Sequence, residues 1–161
     1  MTAAVLTVSD STARGHRQDL SGPAVKALLE RHKFRVIASD VVADEQVPIQ
    51  EAILEMASRA QLVVTTGGTG IAERDVTPEA TRAVCTPLVE GVAERMRAVG
   101  AQTTPLAALS RGVCGICGRA LVLNLPGSPQ AATESLTAVL DLLPHALDLL
   151  AGKTAHDSLH R

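Results

Sequence analysis

Aromatic residues are almost absent from this chain of 161 residues, because Phe34 stands alone and there is no Trp or Tyr. Proteins that bind single-stranded nucleic acid stack the bases on aromatic side chains. The chain offers no such platform, so single-stranded DNA and RNA are excluded as expected partners. A flat ring in any other ligand must be held by aliphatic side chains, polar groups and backbone.

Excess charge, long apolar runs and paired cysteines are also lacking. The 15 basic and 17 acidic side chains give a net charge of −2, which leaves no electrostatic footprint for nucleic acid or an anionic membrane. No apolar run approaches the roughly 20 residues that cross a bilayer, and the first ten residues lack the pattern of a secretion signal. Three cysteines cannot all pair, which favours a reducing compartment. We therefore expect a soluble, cytoplasmic protein with no nucleic-acid or membrane partner.

Apolar strands alternate with amphipathic helices along the chain. The predicted strands cover residues 3–8, 34–42, 61–66 and 119–125, and the predicted helices start near 21, 48, 77, 88 and 130, the last one reaching 150 with a break at Pro144. This alternation is typical of an α/β fold of the three-layer α/β/α type with a mostly parallel central sheet. Residues 1–151 are predicted to form a single domain and residues 152–161 a polar tail.

Four loops are expected to meet at one edge of this sheet, because ligands of such sheets bind beyond the carboxyl ends of the strands. The polar and small residues that follow the four predicted strands are Ser9 and Asp10, then Asp44, then Thr66 to Gly70 with Asp75, and finally Pro126, Gly127 and Ser128. Loop acids are common, so the convergence of several of them is the informative feature.

The third of these loops, Gly67-Gly68-Thr69-Gly70, allows successive backbone N–H groups to point at an anion. It is neither a P-loop nor a G-x-G-x-x-G motif. A plain turn between a strand and a helix is an equally good interpretation of the loop alone.

Asp75 follows the glycine loop and precedes a helix whose start Thr77 is predicted to cap. A carboxylate beside bound phosphate repels it unless a divalent cation lies between them. Mg²⁺ suits this arrangement, because it takes few protein carboxylates and completes its shell with water and phosphate oxygens. The alternative is that Asp75 only interacts with the helix dipole.

Three further features have both a functional and a structural interpretation. The Pro126-Gly127-Ser128 turn could hold an oxyanion at a helix N-terminus or merely connect strand to helix. Ser110 and Arg111 could add a hydroxyl and a planar donor to phosphate. Cys114 and Cys117 form a C-x-x-C pair, but a structural zinc site needs about four ligands and no second pair exists.

Taken together, the motifs resemble those of the MogA/MoaB family of molybdenum cofactor biosynthesis proteins. They are VLTVSDS, D-x-SGPA, VADEQ, TTGGTG followed by RDVTPEAT, LSRG and LNLPGSP, in the order and spacing of that family over residues 3–150. The resemblance implies a compact MoaB/Mog-type domain that forms a homotrimer and binds molybdopterin. In its MogA-type members it implies transfer of AMP from Mg·ATP to the molybdopterin phosphate.

The resemblance also implies the site residues. Asp44 and Asp75 are expected to act in catalysis and to bind Mg²⁺. The residues expected to bind nucleotide and molybdopterin are Ser9, Asp10, Thr66, Gly67, Gly68, Thr69, Gly70, Ser110, Pro126, Gly127 and Ser128.

Two alternatives to an adenylyltransferase stay open on the sequence. One is a trimer of the MoaB type that binds molybdopterin as a carrier or scaffold without catalysis. The other is the related domain of CinA-like proteins, although RDVTPEAT and LPGSP fit the cofactor pathway better. Molybdenum or tungsten as the final metal, pairing of trimers into hexamers, and a separate partner for metal insertion are also left open.

Overall fold

Five strands form one sheet at the centre of the computed structural model, which describes residues 1–153. The strands are β1 (Thr2–Val8), β2 (Arg35–Val42), β3 (Leu62–Thr66), β4 (Cys114–Cys117) and β5 (Ala120–Leu125). Their order across the sheet is β2-β1-β3-β5-β4. Strands β2, β1, β3 and β5 are parallel to one another, and β4 pairs with β5 in the antiparallel direction at one edge of the sheet.

Helices connect the strands. They are α1 (Asp10–Ala13), α2 (Ser21–Arg31), α3 (Gln46–Ala57), α4 (Thr77–Val84), α5 (Glu90–Thr103), α6 (Pro129–Thr137) and α7 (Leu143–Leu150), with a 3-10 helix at Pro105–Leu109. None of the helices within residues 1–153 is both long and apolar enough to span a bilayer.

Each face of the sheet buries its own hydrophobic core, because successive residues of a strand point to opposite faces. Val5 and Val64 belong to the core that includes apolar residues of α2, α5, α6 and α7. Leu6 and Val63 belong to the core that includes residues of α3 and α4. The predicted three-layer arrangement with a mostly parallel sheet is confirmed.

The strand registers bring the predicted loops to one edge. Thr66, the last residue of β3, is paired with Thr7 on one side and with Leu125, the last residue of β5, on the other. Val8 and Val42, at the ends of β1 and β2, are paired with each other. The loops that follow these four strands therefore start side by side.

Strand β4 is absent from the sequence-based prediction. It is short and contains both residues of the C-x-x-C pair, so the cysteines lie in the edge strand and are buried as free thiols together with Cys85. Burial raises the pKa of Cys85 and of Cys114 to about 12. Little of either residue is thiolate at neutral pH, which indicates a packing role.

The predicted last helix, 130–150, is two helices in the structure. Pro144 occupies the first turn of α7, where the missing N–H and fixed φ of proline are tolerated. The break therefore lies before Pro144, between α6 and α7. Most of the predicted polar tail, 152–161, lies outside the described residues.

Candidate functional site

Hydrogen bonds to the end of β5 and to the start of α4 hold the glycine loop. Gly67 and Gly68 have φ values of +91° and +66°, which favour glycine. The Gly67 N–H donates to the Leu125 carbonyl at 3.0 Å. The Thr77 hydroxyl donates to the Gly67 carbonyl at 2.9 Å, and the Thr77 N–H donates to the Gly68 carbonyl at 3.1 Å. The predicted capping role of Thr77 is wrong, because its hydroxyl ties the start of α4 to this loop.

Gly67 also has no room for a side chain. A Cβ atom there would fall well inside van der Waals contact with the Val8 carbonyl oxygen, whereas a Cβ at Gly118, which has a φ of +61°, would meet nothing within 4 Å. We expect Gly67→Ala to lower the free energy of unfolding by about 3 kcal/mol, since backbone strain and overpacking add. Urea unfolding measures the loss.

Gly118→Ala is the matched control, because it carries the φ strain without the clash. It should cost about 1 kcal/mol. Equal losses in the two variants would contradict the close approach of the glycine loop to β1.

The carbonyl groups and the N–H groups of the loop differ in their hydrogen bonding. The carbonyls of Thr69 and Gly70 accept hydrogen bonds from the N–H and the Nε of Arg111, both at 2.7 Å. Among residues 1–153, no acceptor pairs with the N–H groups of Gly68, Thr69 or Gly70. The predicted anion-binding loop therefore has three N–H donors without an acceptor in the described part of the protein. The N–H of Gly67 is already paired, and this residue instead provides the positive φ that the turn requires.

Asp44 and Asp10 bind each other's backbone. The Asp10 N–H donates to Oδ2 of Asp44 at 2.8 Å, and the Asp44 N–H donates to Oδ1 of Asp10 at 3.0 Å. Oδ1 of Asp44 lies 3.1 Å from where a Cβ of Gly68 would be, so it faces the glycine loop. One carboxylate oxygen of Asp44 is thus fixed by protein, and the other is directed to the loop.

Burial raises the pKa of Asp44 above its ordinary value. The negative charges of Asp10 and Asp75 raise this pKa further, while the hydrogen bond from the Asp10 backbone opposes them. The guanidinium of Arg74 has the reverse effect on Asp10, whose pKa it lowers through hydrogen bonds. The site therefore concentrates negative charge that a bound cation would neutralise.

Asp75 is half-buried beside the loop. Its Oδ2 accepts a hydrogen bond from the Ala72 N–H at 3.0 Å and would lie 2.8 Å from a Cβ at Gly70. Its carbonyl oxygen accepts a hydrogen bond from Nη2 of Arg111 at 2.8 Å. The carboxylate of Asp75 therefore lies against Gly70 of the glycine loop.

Arg111 does not serve as the free phosphate donor that the sequence suggested. Its guanidinium donates to the carbonyls of Gly70 and Asp75 and forms an ion pair with Glu79. It therefore fastens the glycine loop to α4. Ser110, the preceding residue, lines a cavity.

Two cavities adjoin the loop. We call the first the acid cavity; it has a volume of about 390 Å³, and the predicted residues that line it are Ser9, Asp44, Thr66, Gly67, Gly68, Asp75, Gly127 and Ser128. We call the second the α5 cavity; it has a volume of about 550 Å³, and the predicted residues that line it are Gly68, Thr69, Gly70, Asp75, Ser110, Pro126, Gly127 and Ser128. Both cavities share Gly68, Asp75, Gly127 and Ser128. Asp10 lines neither of them, although it is hydrogen-bonded to Asp44.

The Pro126-Gly127-Ser128 turn closes the shared wall. Gly127 approaches Gly67 so closely that a Cβ on Gly127 would lie 3.3 Å from the Gly67 Cα atom. Ser128 caps α6, and its Oγ accepts a hydrogen bond from the Ala131 N–H at 3.1 Å. The turn is thus both a structural connection and part of the site, so the two interpretations are compatible.

The sequence-based prediction missed one polar wall of the acid cavity. Thr7, Asp19 and Ser21 line it; the Thr7 hydroxyl donates to Oδ2 of Asp19 at 2.8 Å, and Ser21 Oγ lies 2.8 Å from Thr66 Oγ1. The D-x-SGPA motif was the signal that could have identified Asp19 and Ser21.

The apolar wall of the α5 cavity was missed too. It contains Met96 from α5 with Leu106 and Leu109 from the 3-10 helix. These aliphatic side chains form a surface against which the flat ring of a ligand can pack. A chain with almost no aromatic residues must hold such a ring in this way. No motif marks them, because their common side depends on how α5 packs on the sheet.

The two acids fit a magnesium ion that is shared with phosphate. Within residues 1–153, no three His, Cys, Asp or Glu side chains come together as an all-protein metal cage. Asp44 and Asp75 line the same cavity, and the charge of Asp75 contributes to raising the pKa of Asp44. Two carboxylates beside open N–H donors match the preference of Mg²⁺ for few protein ligands plus phosphate oxygens and water.

Known proteins resemble this chain over most of its length. Residues 4–145 match the family described as "Probable molybdopterin binding domain". The molybdopterin adenylyltransferase of Helicobacter pylori strain J99 is 41% identical over 152 residues, which cover 92% of this chain and 86% of that protein. The crystal structure of the molybdopterin biosynthesis enzyme MoaB from Thermus thermophilus superposes with a TM-score of 0.89 at 51% identity, covering 94% of this chain and 97% of the other.

A CinA protein from Thermoplasma acidophilum is more distant. It reaches a TM-score of 0.69 at 21% identity over 88% of this chain, so the likeness shows a shared fold alone.

Proposed function

Because the chain belongs to the family of probable molybdopterin-binding domains, we propose that it adenylylates molybdopterin with Mg·ATP and releases pyrophosphate in molybdenum cofactor biosynthesis. The molybdopterin adenylyltransferases it resembles are 35–41% identical to it over most of its length, which supports an enzyme over a passive carrier.

One observation carries the proposal: two cavities meet at a wall that contains Gly68, Asp75, Gly127 and Ser128. A reaction between two phosphate-bearing molecules needs their phosphates to meet at one point. A ligand in each cavity would bring its phosphate to this common wall, beside the open N–H groups of the glycine loop.

The reaction we propose forms a bond between an oxygen of the molybdopterin phosphate and the α-phosphorus of ATP. The bond from that phosphorus to the bridging oxygen of pyrophosphate breaks, and pyrophosphate leaves. The phosphate dianion is already nucleophilic, so a strong general base is unnecessary. The protein contributes mainly by positioning the two phosphates and neutralising their charge.

Individual residues have distinct parts in this proposal. The N–H groups of Gly68, Thr69 and Gly70 would donate to phosphate oxygens, and the Ser128 hydroxyl could donate while its oxygen caps α6. Ser9 and Thr66 would contribute hydroxyls on the acid-cavity side. Apolar side chains of the α5 cavity would hold a flat ring and exclude water.

Asp44 and Asp75 are the residues that would hold Mg²⁺. When bound, the ion supplies positive charge that offsets the repulsion between the phosphates. The elevated pKa of Asp44 reflects burial and neighbouring negative charge, which a nearby dication would compensate.

Assembly and location rest on family membership and not on a surface of the structure. We propose a homotrimer, the assembly that the resemblance to the MogA/MoaB family implies. The cytoplasm is the proposed compartment, because it supplies ATP and is compatible with three free cysteines.

Pyrophosphate release tests the proposal. Purified protein, ATP, Mg²⁺ and molybdopterin should produce pyrophosphate, and omission of molybdopterin or addition of excess EDTA should abolish it. Tight binding of molybdopterin without pyrophosphate release under complete conditions would instead support a carrier or scaffold.

A further inference from the structure

An arginine outside both cavities is bound to the residue that supports Asp44. Arg74 donates from Nε to Oδ2 of Asp10 at 3.0 Å and from Nη2 to Oδ1 of Asp10 at 2.9 Å, across 64 residues of chain. This side-on pair fixes the plane of the Asp10 carboxylate. Neither residue lines the acid cavity or the α5 cavity.

The same carboxylate of Asp10 holds the backbone of Asp44. Oδ1 of Asp10 accepts from the Asp44 N–H, and the Asp10 N–H donates to Oδ2 of Asp44. A rotation of the Asp10 carboxylate would therefore break the contact that fixes the loop after β2. The remaining oxygen of Asp44, Oδ1, would then lose its direction toward Gly68 and the acid cavity.

We propose that Arg74 and Asp10 are positioning residues that hold the Asp44 carboxylate in its metal-binding orientation. The inference rests on the proposed function, because it takes Asp44 as a magnesium ligand. It replaces the expectation that Asp10 contacts nucleotide or molybdopterin. Outer-shell partners of this kind change metal affinity by about 10–100-fold in other sites.

Because Arg74 is positively charged, an electrostatic effect and a positioning effect of its removal would change the affinity for a divalent ion in opposite directions. Removing a positive charge beside a cation site, and exposing the charge of Asp10, would by electrostatics alone strengthen the binding of a divalent ion. Loss of orientation would weaken it. The direction of the change therefore distinguishes positioning from a field effect.

The experiment measures Mn²⁺ binding by electron paramagnetic resonance in the presence of an ATP analogue with a methylene group between the α- and β-phosphorus atoms. We expect Arg74→Gln to bind Mn²⁺ about tenfold more weakly than wild type. Arg74→Lys should not restore the affinity, because it keeps the charge and loses the two-point contact. In turnover, kcat at a fixed low Mg²⁺ concentration should fall while the KM for molybdopterin stays unchanged.

Arg59→Gln is the matched control. Arg59, two residues after the end of α3, pairs with Glu55 of that helix at 2.8 Å, and its side chain is 51% exposed, close to the 56% of Arg74. This variant should bind Mn²⁺ as wild type does. Thermal unfolding of every variant shows whether the fold is retained. If Arg74→Gln unfolds, Arg74→Lys takes its place, because it keeps the charge and loses the two-point contact, so weaker binding by that variant is not a field effect.

Two failures are distinguishable. If wild type itself does not bind Mn²⁺ with the analogue, the proposed function fails. If wild type binds and Arg74→Gln binds equally or more tightly, the positioning role is overturned while the proposed function stands.

Discussion

Replacing Asp75 by Asn is expected to reduce AMP transfer at least about 10³-fold while leaving the protein folded. Asn has the shape of Asp and can still accept the hydrogen bond from the Ala72 N–H through its amide oxygen. It lacks the charge with which Asp75 would hold Mg²⁺ at the wall common to both cavities. A 10³-fold loss corresponds to about 4 kcal/mol of transition-state stabilisation, within the several kcal/mol a metal ion supplies.

The measurement is kcat/KM for pyrophosphate release at saturating Mg²⁺, with circular dichroism to confirm the fold. Glu73→Gln is the control, because Glu73 lies exposed in the same loop and lines neither cavity. It should retain wild-type turnover. Wild-type turnover by Asp75→Asn would refute the assigned role of Asp75.

Asp44→Asn is expected to lose transfer to a similar extent and, at the same time, to raise the melting temperature Tm of the protein without ligand or metal. The folded state raises the pKa of Asp44, chiefly by burial, so ionised Asp44 is disfavoured there relative to the unfolded chain. Its contribution to stability therefore decreases as pH rises from the ordinary value of 3.8 through the raised pKa. Asn carries no charge and avoids this penalty at pH 7.

Calorimetry at pH 7 in EDTA measures the difference in Tm. Asn keeps an oxygen that can accept from the Asp10 N–H, so the loop contact survives. The difference from wild type should shrink as pH falls toward the ordinary pKa of Asp44. A lower Tm for Asp44→Asn at pH 7 would show that burial of the charge is not the dominant effect.

Most of the fold could be predicted because the buried parallel strands β1, β3 and β5 are largely apolar runs bounded by polar loops. Strand β5 starts at Ala120 and ends at Leu125, within one residue of the prediction. Strand β4 was not predicted, because it has only four residues and forms by antiparallel pairing with β5. Such pairing depends on the edge that the rest of the sheet leaves open.

The sequence was enough to predict which loops form the site. It was not enough to predict the hydrogen bonds that join those loops. The rule for parallel sheets places Asp44, Asp75 and the glycine loop together. It does not predict that Arg74 forms hydrogen bonds with the carboxylate of Asp10. Nor does it predict that the guanidinium of Arg111 donates to backbone carbonyls. These contacts join residues distant in sequence, and only the packed chain determines them.

The central claim is that AMP passes from ATP to molybdopterin at the wall shared by the two cavities, and isotope transfer tests it most directly. Wild-type protein is incubated with Mg²⁺, molybdopterin and ATP labelled at either the α- or the γ-phosphorus, and the pterin product is isolated. The account predicts label in the product from α-labelled ATP alone, with none in the Asp75→Asn reaction. Label from γ-labelled ATP would indicate phosphoryl transfer, and no label from either, with molybdopterin bound, would indicate a carrier; each result would contradict the account.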